Sequence, residues 1–387
     1  MSKWEMVRLG DVGKVITGNT PSTTETAYWN SEDIPFYCPN DLTKDGISCL
    51  SASSRYVSEY ARAKIRILPS DTVLVSCIGT IGKIGVLSCE GTCNQQINAI
   101  IVNPETAYFN FLAYAIKSQV GSLEFNANNA VVAILNKTQF SQIKIPLPPL
   151  AEQRKIAAVL DKASELIRDR KEQLKKLDLL VKSRFVEMFG DPVTNPMGWE
   201  VKSIKDFATV KIGPFGSLLH AEDYIENGIP LVNPSHIIDG EIVPEPKLTL
   251  TFEKHESMSA YALQKDDVVL GRRGEIGRCA VVGNGKYLCG TGSMFVRIEH
   301  DYLPMVLQKI ISSKAMRKVL ENKAVGVTMM NLNAGTIANL KVIVPPIALQ
   351  NRFADFVRQT DKSKLEIQQG LEKLELQYNA LMQKYFG

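Results

Sequence analysis

Two short stretches hold the residues best placed for chemistry. Gly79-Thr80-Ile81-Gly82-Lys83 and Gly274-Glu275-Ile276-Gly277-Arg278 stand 195 positions apart and share one pattern: glycine, two residues, glycine, then a basic side chain. Glycines let a backbone turn tightly and approach a partner closely, and the basic residue that follows suits an anion. The spacing is not that of a P-loop, since Gly-x4-Gly-Lys-Ser/Thr and its helix are missing. A Gly-x-Ser-x-Gly elbow and a glycine-rich loop opening a helix are missing as well. The four histidines, His220, His236, His255 and His300, all fall after residue 190 and read as surface or contact residues. Seven cysteines without a CxxC pair argue against a disulfide framework or a zinc site and for ordinary thiols in a reducing compartment. Two basic turns and little else of catalytic type point to binding rather than to a reaction.

The elements that position these turns come in duplicate. "WEMVRLGDVGKVITGNTPS" from Trp4 matches "WEVKSIKDFATVKIGPFGS" from Trp199, and "IPFYCPNDL" from Ile34 matches "IPLVNPSHI" from Ile229. "DTVLVSCIGTIGKIGVL" from Asp71 matches "DDVVLGRRGEIGRCAVV" from Asp266, and "LNKTQFSQIKIPLPP" from Leu135 matches "LNAGTIANLKVIVPP" from Leu332. Short β-rich runs such as "DTVLVS", "INAIIV", "DDVVLG" and "MFVRIE" alternate with Gly-, Asn- and Pro-rich turns. One helical stretch follows in each copy, "FNFLAYAIKSQVGSLEF" and "LPMVLQKIISSKAMRKVLEN".

Behind each globule lies a long amphipathic segment. Ile156, Leu160, Ala163, Ile167, Arg170, Leu174, Leu177, Val181, Arg184 and Met188 step by alternating four and three. Phe353, Val357, Thr360, Lys364, Ile367, Leu371, Leu374, Tyr378, Leu381 and Tyr385 repeat the seam 197 residues later. Such a 3–4 alternation predicts supercoiled helices packed knobs-into-holes. About 37 residues at ~1.5 Å each give a rod of roughly 55 Å. Pro148-Pro149 and Pro345-Pro346 mark where the helices begin. The expected fold is α+β: two tandem globular domains alternating with two long antiparallel coiled-coil helices, an internal repeat with pseudo-two-fold character. The boundaries fall at 1–149, 150–190, 191–346 and 347–387.

Charge refines this picture. The 387 residues carry a net +4, which is a weak hint of an anionic partner. Residues 1–149 hold 12 basic and 12 acidic side chains and residues 191–346 hold 17 of each, so the surplus lies in the helical segments. Any nucleic-acid surface must be a local patch on a neutral globule. No apolar run is long enough to span a membrane and the N-terminus lacks a signal-peptide core, which predicts a cytoplasmic protein.

"IPLPPLAEQRKIAAVLDKASEL", "VIVPPIALQNRFADFVRQTDKS" and "FVEMFGDP" at Phe185 resemble the specificity subunit of type I restriction–modification systems across essentially the whole chain. The resemblance implies a non-catalytic subunit with two target-recognition domains, each reading one half of a split, asymmetric sequence in double-stranded DNA. It implies two methyltransferase subunits docked around the helices, with restriction–translocase subunits joining them. It also implies no cofactor in this chain, since S-adenosylmethionine, ATP and Mg belong to the partners. Glu152, Gln153, Arg154, Gln350 and Arg352 are the expected subunit-interface residues. The second helix has Leu349-Gln350-Asn351 where the first has Glu152-Gln153-Arg154, so the two helices are expected to hold partners unequally.

Within that reading, Arg272, Arg273 and Arg278 suit bidentate contact with guanine. Ser76, Thr80, Lys83, Asn94, Gln95 and Gln96 are the polar candidates of the first globule, where Cys77 and Ile78 align with the arginine pair. Lys14, Lys137, Lys211 and Lys323 are candidate phosphate contacts, which position without specifying. The rival readings are a coiled-coil scaffold without DNA reading and a stand-alone DNA-modifying enzyme.

Overall fold

The structure is a computed structural model that describes residues 4–127, 134–215, 218–324 and 331–387. It divides into two compact units, Met1–Gln173 with Ile367–Gly387, and Leu174–Glu366. Both boundaries cut through a long helix, so each unit contains one globule, the start of its own helix and the end of the other.

In the first unit the apolar runs become a five-stranded sheet. Its order is Gly13–Thr17, Ile97–Val102, Val73–Ser76, Ile84–Leu87, Ser48–Leu50, and all neighbours are antiparallel except the last pair. Val73–Ser76 and Ile84–Leu87 are buried along their whole length, as central strands covered on both faces must be. The helix Phe109–Ala127 covers one face, with Phe111, Leu112, Tyr114 and Ile116 in the core. A smaller sheet sets Ile34–Tyr37 between Tyr56–Val57 and, in parallel, Thr92–Cys93. Met6–Arg8 pairs with Lys144–Pro146 and so ties the entry of the globule to the start of its helix.

The second unit repeats this plan with the order Ala208–Ile212, Ser293–Ile298, Val268–Gly271, Cys279–Val281. Its smaller sheet again has a parallel pair, Ile229–Val232 with Tyr287–Cys289. One expectation changes here: the helical stretch after residue 303 is two helices, Pro304–Ser312 and Lys314–Lys323. Ser313 adopts an extended backbone and its hydroxyl accepts from the Met316 N–H at 3.2 Å. A serine that can cap a new helix competes with continuing the old one.

The long helices are Leu150–Phe189 and Ile347–Phe386, 40 residues each. Gly190, at φ 75°, ends the first in the left-handed conformation, and its N–H donates to the Val186 carbonyl at 2.8 Å. Within each unit the two helical segments run antiparallel. In the first, Ile156 and Leu160 share a core with Leu381, Tyr385 and Phe386, and Lys171 meets Glu375 at 2.8 Å. In the second, Phe185, Phe189 and Phe353 form a triangle of rings with centroids 5.1–5.6 Å apart, and Lys364 meets Asp178 at 2.5 Å. The heptad seam is buried at Ile156, Leu160 and Val181 but only half-buried at Ile167, Leu174 and Leu177, and Arg170 is exposed.

Candidate nucleic-acid interface

The two glycine turns share a left-handed backbone at both of their glycines. Gly79 and Gly82 have φ of 77° and 82°, and Gly274 and Gly277 have 77° and 84°. Each turn joins two antiparallel core strands, so its tip projects from a rigid base. In the first turn Ser76 is fully buried; its hydroxyl donates to the Thr80 carbonyl at 2.6 Å and accepts from the Lys83 N–H at 2.9 Å. Both directions of the hydroxyl are spent inside the turn, so Ser76 is a brace and not a base contact. Thr80 is exposed at the tip and Lys83 is half-exposed.

Two further segments flank each turn in the same way. The Cys77 N–H donates to the Gln96 carbonyl and the Leu135 N–H to the Cys77 carbonyl, both at 2.8 Å, and Ile78 bridges Ile134. In the second globule the Arg272 N–H donates to the Gly292 carbonyl at 3.0 Å, the Leu332 N–H to the Arg272 carbonyl at 2.9 Å, and Arg273 bridges Asn331. Identical backbone frames therefore present Cys77, Ile78 and Ile134 in one copy and Arg272, Arg273 and Asn331 in the other.

The side chains around these frames fall into exposed and enclosed groups. Gln95 is exposed and accepts from the Thr20 hydroxyl at 2.6 Å. Asn94 is buried, its amide donating to Gln96 Oε1 at 3.0 Å while its oxygen accepts from the Gln96 N–H, so Asn94 shapes the loop instead of reading bases. Gln96 is half-buried and committed to the same pair. Arg278 is folded onto Glu275, whose carboxyl is held below its ordinary pKa first by that hydrogen bond, and Arg317 reaches the same carboxylate at 3.6 Å. Arg273 is exposed. Arg272 is half-buried, and its Nε donates to Asn331 Oδ1 at 3.1 Å. Burial, and then the charge of Arg273, lower its pKa.

The lysines scatter. Lys14 pairs with Ile101, toward the end of its sheet away from the turn, because the turn end is marked by Thr17, Ile97 and Ser76. Lys211 pairs with Phe295 and is exposed in mid-strand. Lys137 is exposed at the start of the helix Lys137–Ser141, two residues beyond the Leu135 that flanks the first turn. Lys323 is exposed at the end of its helix. Of the four candidate phosphate contacts, Lys137 stands beside a segment that flanks a glycine turn, and Lys14 lies at the opposite end of its sheet from the turn.

At the starts of the long helices the expectation for Gln153 and Gln350 is overturned. Both are fully buried. Gln153 Oε1 accepts from the Tyr108 N–H at 2.8 Å, and Nε2 donates to the carbonyls of Thr106 and Pro148. Gln350 Oε1 accepts from the Leu303 N–H at 2.9 Å, and Nε2 donates to the Pro345 carbonyl at 2.8 Å. They clamp helix to globule and leave nothing for a partner. Arg154 lies over the Tyr108 ring at 4.8 Å, Glu152 stands 4.0 Å from Lys155, and Arg352 is exposed. The helices also expose apolar side chains, Val159 and Leu166 in the first unit and Leu179, Leu180, Val186 and Leu365 in the second.

Sequence reading missed Asn331, Ile134 and Thr20. Asn331 and Ile134 sit one residue ahead of the aligned Leu332 and Leu135, just where similarity between the copies ends. Two histidines expected at the surface are buried, and His236 Nδ1 lies 2.8 Å from the Leu231 carbonyl. Cys77, Cys93 and Cys279 are buried, which pushes their thiols up to about 12 and leaves them unreactive. Among the described residues no cluster of three His, Cys, Asp or Glu is arranged to hold a metal, and no helix is long and apolar enough to cross a membrane.

Known proteins share this architecture. The model of the type I restriction modification DNA specificity domain matches residues 1–176 and again 196–376. The type I restriction enzyme MjaIX specificity subunit of Methanocaldococcus jannaschii is 25% identical over 98% of this chain and 92% of its own length. The EcoBI specificity subunit of Escherichia coli is 23% identical over 92% of this chain and 79% of its own. The crystal structure of a type I restriction–modification S subunit from M. genitalium aligns over 100% of this chain and 96% of its own, with a TM-score of 0.62 at 14% identity. Two copies of the family's domain, in one chain and on the fold of a solved S subunit, leave one conclusion: the chain belongs to the family of type I restriction–modification specificity subunits, which recognise DNA sequence and are not themselves enzymes.

Proposed function

We propose that each globule reads one half of a bipartite, asymmetric DNA target through the surface around its glycine turn. The observation that carries this reading is the pair of matching backbone frames with unlike side chains, Cys77, Ile78 and Ile134 against Arg272, Arg273 and Asn331. One scaffold used twice with different reading residues is what recognition of two different half-sites requires, because backbone contacts position a protein and side chains at base edges specify. The long helices act as the spacer and as the docking surface for methyltransferase subunits, with restriction subunits joining in the full complex. Exposed Leu179, Leu180 and Val186 suit such docking, since contiguous exposed apolar surface marks interaction sites. The methyl donor, ATP and Mg act in the partner subunits.

The test is to co-express the chain with its candidate methyltransferase and map modified bases by single-molecule sequencing. One split, asymmetric motif is expected. Absence of both a complex and a modified motif would overturn the reading and favour a protein-binding scaffold.

A further inference from the structure

Five arginines lie in the second globule, and they fall into two classes. Arg278, Arg297 and Arg317 each meet a carboxylate, Glu275 for the first and third and Asp267 for the second. Arg272 and Arg273 are adjacent in sequence, and among the described residues neither meets a carboxylate. Two guanidinium groups side by side repel one another, so a fold that keeps them together without counter-charge holds a vacancy for acceptors.

Their anchoring differs as well. Arg272 is fixed at three points: its N–H on the Gly292 carbonyl, its carbonyl on the Leu332 N–H, and its Nε on Asn331 Oδ1. Occupying Nε favours one orientation of the guanidinium plane and leaves the two terminal amino groups free as a fork. Arg273 is exposed and has no such tether among the described residues. We infer that Asn331 is a positioning residue that aims Arg272 at the O6 and N7 edge of a guanine in the half-site of the second globule, and that Arg273 contacts the DNA backbone beside it. The inference rests on the DNA-reading function proposed above. A fork held in advance loses little freedom on binding, and a bidentate Arg–guanine contact discriminates against other bases by roughly ten- to a hundredfold. The first globule has buried Cys77 and apolar Ile78 and Ile134 in the same frame, so the device serves one half-site alone.

The experiment uses the complex of the full chain with its methyltransferase and compares wild type with Arg272→Lys, Asn331→Ala, Asn331→Asp and Arg273→Ala. The readout is the methylation ratio between sites that keep the guanine and sites with another base there. Arg272→Lys keeps the charge but loses the fork, and Asn331→Ala frees it. Both are expected to lower that ratio by about tenfold or more at one position of one half-site, with the other half-site unchanged. Asn331→Asp keeps an acceptor at the same atom and restores the ratio, which a merely structural role for the asparagine does not explain. Arg273→Ala lowers methylation across all sites and leaves the motif intact. Retained guanine preference in Arg272→Lys, or an equal loss at every site in Arg272→Lys and Asn331→Ala, would overturn the inference while the split motif of the wild type stood. A wild-type complex without any split motif would sink the functional reading and this inference together.

Discussion

Gln153 and Gln350 show how much one side chain holds at the residue scale. Replacing Gln153 by Ala strands the Tyr108 N–H and the carbonyls of Thr106 and Pro148, at about 1–3 kcal/mol for a buried group left unpaired. Hydrogen exchange resolved by unit should show Gln153→Ala loosening the first unit and Gln350→Ala the second. Lys309 offers a contrasting case. It is half-buried on the helix Pro304–Ser312, faces Lys364, Asp361, Asp178 and Cys279, and has a pKa lowered first by burial and then by Lys364. The unfolded chain therefore binds a proton more readily than the folded one, so this lysine's penalty is full below the lowered folded value and fades as pH rises toward the ordinary 10.5. Lys309→Met is expected to raise the melting temperature of the second unit near neutrality, by a margin that shrinks toward pH 10.5. A margin independent of pH would contradict this. Neither role was legible from sequence: a glutamine in the fourth position of a charged helix has the pattern of a surface residue, and only the packing of the globule against the helix start encloses it.

The glycine turns belong to the scale of elements, and here sequence was more informative. Two glycines three apart at matching places in both copies pointed to the turn, because a left-handed residue between strands favours glycine. What that turn does with its neighbours depended on space. A Cβ on Gly82 would lie 2.4 Å from Val120 Cγ1, and one on Gly277 2.5 Å from Arg317 Cγ, while Gly79 and Gly274 face open surroundings. Gly79→Ala should cost only the left-handed backbone, about 1–2 kcal/mol. Gly82→Ala should cost more, because Val120 is short and packed in the core, and Gly277→Ala should fall between, since an arginine can swing aside. Equal losses at all three, measured by denaturant unfolding, would show that contact adds nothing to backbone strain. The long helices were legible from their 3–4 seam and their leading proline pairs. The break at Ser313 was not, since apolar spacing runs on across it and only the cap distinguishes two helices from one.

At the scale of the whole molecule, the repeat was plain in sequence while the make-up of the units was not. The repeat and its proline pairs divide the chain after residues 149, 190 and 346, yet the compact units exchange helix ends, so the first includes Ile367–Gly387. Tyr378, Leu381, Tyr385 and Phe386 pack into the first core, with Phe386 5.4 Å from the Phe111 ring. A chain cut after Glu366 should lose hydrogen-exchange protection in the first unit, whose globule lies far upstream of the cut, while the second keeps its own. Protection retained in the first unit would mean that the helix end is dispensable there.

This exchange of helix ends also sets a timetable for the newborn chain. A ribosome adds about 5–20 residues per second, so the segment that closes the first core emerges roughly 10–40 seconds after the helix it must lie against. Throughout that interval Ile156 and Leu160 lack the aromatic cover that Tyr385 and Phe386 later give them. Completion of the first core waits for translation of the second half, which leaves that apolar surface uncovered during synthesis and any prematurely terminated product without a finished first core.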